Sequence, residues 1–104
     1  MLGFLKNMMG GGDDAVAEAI GKGAVIIDVR TRQEYSGGHV AGSKNIPLQE
    51  LAPHIASLPA DKPVVFCCAS GGRSGQATSM AAQAGKEAYN GGPWTSVNRI
   101  VNNR

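Results

Sequence analysis

The sequence has few aromatic residues and little net charge. Phe, Trp and Tyr make up 5% of the 104 residues, so the core must be built mainly from Val, Ile, Leu and Ala. The formal net charge is only +2, and the basic residues are scattered along the chain. Neither a nucleic acid nor an anionic membrane surface is therefore indicated as a partner.

The chain also lacks long apolar runs and has only two cysteines. No run is long enough to span a bilayer, and the first nine residues lack the apolar core and cleavage site of a signal peptide. Cys67 and Cys68 are adjacent, which excludes an ordinary disulfide between them, and no Cys/His spacing resembles a metal site. We therefore expect free thiols, a cytoplasmic protein, and no metal or organic cofactor.

The hydrophobic pattern predicts one α/β domain over residues 13–104, preceded by a flexible segment over residues 1–12 that ends in three glycines. Continuous apolar runs typical of buried parallel strands occupy residues 24–27 and 64–67, with shorter strands expected at 43–46 and 87–90. Helical segments are predicted from Asp13 or Asp14 to Gly21, at residues 32–36, from about Ala52 with Pro53 in the first turn, at residues 74–84, and from Trp94 onwards. Gly91, Gly92 and Pro93 are predicted to form a turn. This alternation of strands and helices favours a largely parallel sheet.

One stretch of the chain carries a recognisable chemistry. The apolar run 64–67 leads into Cys68, then a loop of small residues closed by Arg73, then a helical pattern. A thiol at that point faces the unpaired N–H groups of the helix start, and Gly71 and Gly72 permit the backbone to turn those groups inward. Such surroundings favour the thiolate and make a cysteine nucleophilic. The hydroxyl groups of Ser70 and Ser74 are further candidate donors.

Three segments of the sequence resemble the rhodanese domain family. They are residues 26–48 (Asp-Val-Arg, an acidic-aromatic pair, Gly-His and Asn-Ile-Pro), residues 68–74 (CASGGRS), and residues 89–94 (YNGGPW). The resemblance implies a central five-stranded parallel sheet flanked by helices. It also implies transfer of sulfur through a persulfide on a cysteine.

The resemblance assigns roles to individual positions. Cys68 matches the sulfur-accepting cysteine, and Asp28 and Arg30 match the Asp-Val-Arg pair that braces the site, with Ser74 as a further supporting residue. The positions that match the substrate-binding loop are Ala69, Ser70, Gly71, Gly72 and Arg73.

The expected activity is that of a thiosulfate sulfurtransferase. The donor is a small sulfur-containing anion such as thiosulfate, and the acceptor is cyanide in an assay or a thiol in the cell. Two alternatives stay open: a relay that takes persulfide sulfur from a protein donor, and a non-catalytic docking module. A phosphatase is disfavoured, because protein tyrosine phosphatases place five residues between cysteine and arginine, whereas four lie between Cys68 and Arg73.

Other polar residues are predicted to be structural. Strand alternation turns Cys67 to the face opposite Cys68, which favours a core role. His39 is predicted to be a hydrogen-bonded loop residue, since a thiol activated by amides needs no separate base. Arg73 is predicted to stabilise an anion rather than to form a surface ion pair.

Overall fold

The computed structural model describes residues 13–104, so the predicted flexible segment 1–12 lies outside the described residues. Strands and helices alternate along the chain, as the hydrophobic pattern predicts. In chain order the elements are α1 (Asp13–Gly21), β1 (Val25–Asp28), α2 (Arg32–Ser36), β2 (Lys44–Asn45), two 3₁₀ helices (Leu48–Glu50 and Ala52–Ser57), β3 (Val64–Cys68), α3 (Gly72–Gln83), β4 (Ala88–Pro93) and α4 (Trp94–Asn102).

The sheet is parallel throughout and has the strand order β2-β1-β3-β4. The resemblance implies five strands, but residues 13–104 contain four, so that expectation is wrong for this part of the chain. The helix predicted before β1 is confirmed as α1, with Val16, Ala19 and Ile20 buried on one helical face. β3 lies between two neighbours, and every one of its five residues is buried.

The two faces of the sheet carry separate cores. On one face, Ile27, Phe66 and Cys68 pack with residues of α3 and the 3₁₀ helices. On the other, Val65 and Cys67 pack with residues of α1 and α4. The two adjacent cysteines therefore lie on opposite faces, and the predicted core position of Cys67 is confirmed.

Two local predictions need correction. The segment after Pro47 forms 3₁₀ helices rather than an α-helix, although the second begins at Ala52 with Pro53 in its first turn, as predicted. The predicted turn at residues 91–93 is wrong, because these residues continue β4 beside β3 after a register shift between Phe66 and Cys67. β4 is accordingly three residues longer at its carboxyl end than the predicted strand, and α4 begins directly after it.

Candidate active site

The site lies where β3 ends and α3 begins. Cys68 is the last residue of β3 and Gly72 the first of α3, so residues 69–71 make the whole connection. Gly71 has φ of 110°, a left-handed conformation that glycine adopts without strain, and this permits the abrupt entry into the helix. Because Gly71 is the N-cap, it has no side chain to accept the first N–H groups of α3.

The sulfur of Cys68 takes the place of that missing cap. Sγ accepts the N–H of Gly71 at 3.0 Å and the N–H of Ser74 at 3.4 Å, and the Ser74 hydroxyl lies 3.2 Å away. The sequence prediction that helix-start amides surround this thiol is therefore matched by the observed contacts. Cys68 is 1% exposed, and the neighbouring Ala69 and Ser70 are exposed at the rim.

The two cysteines differ in acidity for physical reasons. Burial acts to raise the pKa of Cys68, but hydrogen bonds from the Ser74 hydroxyl and from the N–H groups of Ser74, Gly71 and Ser70 outweigh it, so the pKa lies below its ordinary value. Burial, together with the negative charge of Asp28, raises the pKa of Cys67 to about 12. The surroundings therefore shift the two pKa values in opposite directions, towards the thiolate for Cys68 and towards the thiol for Cys67.

The side chain of Arg73 is engaged by Glu34. Nη1 and Nη2 of Arg73 lie 2.8 and 3.1 Å from the two oxygens of the Glu34 carboxylate. Glu34 also completes a capping box with Thr31 at the start of α2. The Arg73 bond and then the Thr31 bonds hold the pKa of Glu34 at about 2. The prediction that Arg73 would not form an ion pair is therefore wrong, whereas contact between Arg73 and a bound anion stays a prediction.

Asp28 and Arg30 form a buried ion pair at the carboxyl end of β1. Nε and Nη2 of Arg30 donate to the Asp28 carboxylate at 2.7 to 3.0 Å, and Nη2 also donates to the carbonyl of Gly38. The Arg30 guanidinium lies 5.0 Å from the ring centroid of Trp94. The pair therefore joins β1 to the loop after α2 and to α4, contacts that suit the predicted bracing role.

Sequence reasoning missed one residue of the site, Asn90. Its Oδ1 accepts from the Ser74 hydroxyl at 2.7 Å and from the N–H of Gly92 at 2.9 Å, and its Nδ2 donates to the carbonyl of Gly71 at 3.2 Å. The amide thus connects β4 with the loop and with the first turn of α3. Its position at the carboxyl half of a parallel strand was the available signal, since ligand sites of such sheets lie at that edge.

The remaining candidate groups lie away from the sulfur or at its rim. Gly72 is exposed at the start of α3. His39 stacks on Tyr35, and its Nδ1 lies 2.8 Å from the Tyr35 carbonyl, which confirms the prediction of a hydrogen-bonded loop histidine. Within residues 13–104, no three His, Cys, Asp or Glu side chains lie close enough to hold a metal ion. No helix in the same range is both long and apolar enough to cross a membrane.

Comparison with known proteins agrees with this geometry. The family model described as the rhodanese-like domain matches residues 12–92. The Bacillus subtilis uncharacterized protein YqhL is 41% identical over 68 residues, covering 64% of this chain and 54% of YqhL. The Pseudomonas aeruginosa thiosulfate sulfurtransferase GlpE is 35% identical over 63 residues, covering 61% of this chain and 57% of GlpE. The chain therefore spans little more than half the length of these relatives.

The solved structures include a rhodanese-related protein from Thermoplasma volcanium. It superposes with a TM-score of 0.69 at 31% identity, covering 83% of this chain and 87% of that one. A family match over most of the chain, the α/β fold and the cysteine loop point to the same conclusion. The chain belongs to the rhodanese-like domain family.

Proposed function

We propose that this protein is a sulfurtransferase that moves sulfane sulfur from a donor such as thiosulfate to a thiophilic acceptor through a persulfide on Cys68. The observation that carries the proposal is the sulfur held at a helix start, 3.0 Å from the N–H of Gly71 and 3.4 Å from the N–H of Ser74. The name of GlpE as a thiosulfate sulfurtransferase agrees with the same chemistry.

The proposed reaction has two half-reactions at Cys68. The thiolate attacks the outer sulfur of thiosulfate, the sulfur–sulfur bond of the donor breaks, and sulfite leaves with the electron pair. A thiophilic acceptor then attacks the outer sulfur of the persulfide. With cyanide as acceptor, thiocyanate forms, and the electron pair of the broken bond returns Cys68 to the thiolate.

The helix start suits both states because each carries negative charge on sulfur. Amide N–H groups that already point at the sulfur stabilise such charge without having to reorganise during the reaction. The positive end of the α3 dipole acts in the same direction. The hydrogen bonds that lower the pKa of Cys68 favour the thiolate that attacks the donor, and the proposal includes no separate base.

A relay from a protein-bound persulfide is the second candidate, and the Arg73–Glu34 pair favours it. Arg73 is the only cationic residue between Cys68 and Ser74, and its guanidinium is neutralised by the carboxylate of Glu34. A loop with so little net positive charge attracts a free dianion weakly. A donor that presents its sulfur on a protein depends less on that attraction.

The docking-module alternative is disfavoured by the hydrogen-bonded Cys68. The phosphatase is disfavoured by the short loop to Arg73. A cytoplasmic location and a protein donor or acceptor also remain proposals, in keeping with a free thiol that must stay reduced to react.

Intact mass of the protein tests the proposed function. After incubation with thiosulfate the mass should rise by one sulfur atom, and cyanide should then remove that increment. Cys68→Ser should abolish it, whereas Cys67→Ser, the matched control on the opposite face of the sheet, should retain it. An adduct formed only with a persulfidated protein donor would favour the relay. No adduct from either donor would overturn the proposal.

A further inference from the structure

We propose that Asn90 is a positioning residue that directs the Ser74 hydroxyl away from the Cys68 sulfur. This hydroxyl then donates a hydrogen bond to the sulfur only when the sulfur is a thiolate. The inference rests on the proposed function only in taking Cys68 as the nucleophile. It follows from which of the side chains of Cys68, Ser74 and Asn90 can donate a hydrogen and which can accept one.

The orientation of the Asn90 amide is fixed by its neighbours. The backbone N–H of Gly92 can only donate, so the amide atom 2.9 Å from it must be the oxygen, Oδ1. Nδ2 then faces the carbonyl of Gly71, which can only accept, at 3.2 Å. A flipped amide would place like groups together at both contacts. Oδ1 therefore faces the Ser74 hydroxyl as an acceptor.

The Ser74 hydroxyl has one hydrogen and two possible acceptors. Asn90 Oδ1 lies 2.7 Å away and Cys68 Sγ lies 3.2 Å away. Ser74 is 0% exposed, so its bonding options lie within the protein. While Cys68 is a thiol, all groups are satisfied if the S–H donates to Ser74 Oγ and the O–H donates to Asn90.

Loss of the thiol proton changes this arrangement. The thiolate has no hydrogen and would face the lone pairs of Ser74 Oγ, so the hydroxyl must rotate to Sγ and give up its bond to Asn90. When a persulfide forms, the negative charge moves to the outer sulfur, Sγ becomes a weaker acceptor, and the hydroxyl returns to Asn90. Asn90 thus competes with the sulfur for a single hydrogen.

This competition has a consequence for reactivity. The intrinsic nucleophilicity of a thiolate falls as its pKa falls, and the best attacking thiol has a pKa near the ambient pH. Hydrogen bonds from the Ser74 hydroxyl, and then from the N–H groups of Ser74, Gly71 and Ser70, lower the pKa of Cys68. Because loss of the thiol proton costs the bond between the Ser74 hydroxyl and Asn90, Asn90 favours the thiol over the thiolate. It thereby keeps the pKa of Cys68, and with it the intrinsic nucleophilicity of the thiolate, higher than they would be without the competition.

The charged groups near the sulfur form ion pairs that do not involve Asn90. Arg73 at the start of α3 is paired with Glu34, and Asp28 at the end of β1 is paired with Arg30. A substitution at Asn90 leaves both pairs in place. Any effect of that substitution on the pKa of Cys68 is therefore expected to act through the Ser74 hydroxyl.

A double-mutant cycle with Asn90→Leu and Ser74→Ala tests the proposal in the full chain. The readout is the pH dependence of Cys68 alkylation by iodoacetamide, followed by mass of the modified peptide. Asn90→Leu removes the competing acceptor, so loss of the thiol proton no longer costs the bond between the Ser74 hydroxyl and Asn90. The substitution should therefore lower the apparent pKa of Cys68 by about half to one pH unit. In the Ser74→Ala background the same substitution should leave that pKa unchanged.

A role in loop structure alone predicts a different result. Loss of the Asn90 bond to Gly71 would then move the amides away from the sulfur and raise the pKa of Cys68 equally in both backgrounds, which would overturn the proposal. If Asn90→Leu does not fold, Asn90→Asp replaces it: its carboxylate holds the Ser74 hydrogen more strongly, so the pKa of Cys68 should rise more with Ser74 present than with Ser74→Ala. Equal rises would again overturn it.

The alkylation readout needs no sulfur donor. The proposed sulfur transfer can therefore fail in the mass experiment without affecting this result, and the reverse also holds.

Discussion

Replacing Gly91 with alanine would place a methyl group inside the contact between β3, β4 and α4. A Cβ at this position would lie 2.5 Å from Val97 Cγ2, 2.9 Å from Val65 Cγ1 and 2.9 Å from the carbonyl oxygen of Phe66. These three neighbours are fully buried, and one of the contacted atoms is main chain of the central strand. The methyl group therefore cannot be accommodated by rotating an exposed side chain, and either β4 or α4 must move.

The expected cost of Gly91→Ala is at the upper end of what overpacking a core produces, about 2–3 kcal/mol in the free energy of unfolding. For a domain of this size that corresponds to a fall in Tm of about 10–20 °C. Urea denaturation and thermal unfolding measure both quantities. Gly21→Ala is the matched control, because no atom lies within 4 Å of its added Cβ and its φ is not positive, so its Tm should stay within a few degrees of the parent. Equal Tm values for the two variants would refute the packing argument.

Three further predictions concern charge and the two thiols. Asp28→Asn should lower the free energy of unfolding by about 3 kcal/mol, because it leaves the buried guanidinium of Arg30 without its counter-charge. Arg32→Gln, in an exposed ion pair, is the control and should cost under about 0.5 kcal/mol. Equal losses in urea denaturation would contradict this. In the proposed transfer from thiosulfate, Glu34→Gln should lower the KM for thiosulfate about 2- to 5-fold, because it frees Arg73 to attract the anion. High salt should remove this gain. An unchanged KM at low salt would contradict the view that Glu34 neutralises Arg73. At pH 8 iodoacetamide should modify Cys68 and spare Cys67, whose pKa is about 12, and peptide mapping that found both labelled alike would contradict the assigned geometry.

The pH dependence of the Glu34 contribution to stability has a definite sign. Its pKa is about 2 in the folded protein against an ordinary 4.5, so the folded state favours the carboxylate. The contribution is therefore fully present above about pH 4.5 and is lost as the pH falls towards 2. Glu34→Gln should flatten the urea-midpoint profile across that acid range, whereas a parallel profile for the variant would show that the pair does not stabilise the fold.

Elements whose signal is local were predicted well from the sequence. The apolar runs at β1 and β3 continue without interruption because both sheet faces are covered, and α1 shows its buried face as a helical repeat. The end of β4 was predicted wrongly because glycine and proline usually mark turns. Here Gly91 is required by the close approach of α4, and Pro93 stands last in the strand, where a missing N–H is tolerated.

The candidate site likewise has one part that is encoded locally in the sequence and one part that is not. The meeting of a thiol with a helix start is encoded within a few residues, and Cys68 with its loop could be located from that pattern alone. The direction of Arg73 and the role of Asn90 depend on partners 39 and 16 positions away in the chain. Such contacts follow from how the strands and helices are arranged in space, which a local pattern does not encode.

The adjacent cysteines of β3 are the same chemical group, and only their odd or even place along the strand makes them different. Because Val65 and Cys67 share one face and Phe66 and Cys68 the other, a one-residue slip of β3 against its neighbouring strands would turn each thiol to the opposite face of the sheet. Which of the two sulfurs meets the start of α3 is therefore decided by the alternation of side chains along a single strand.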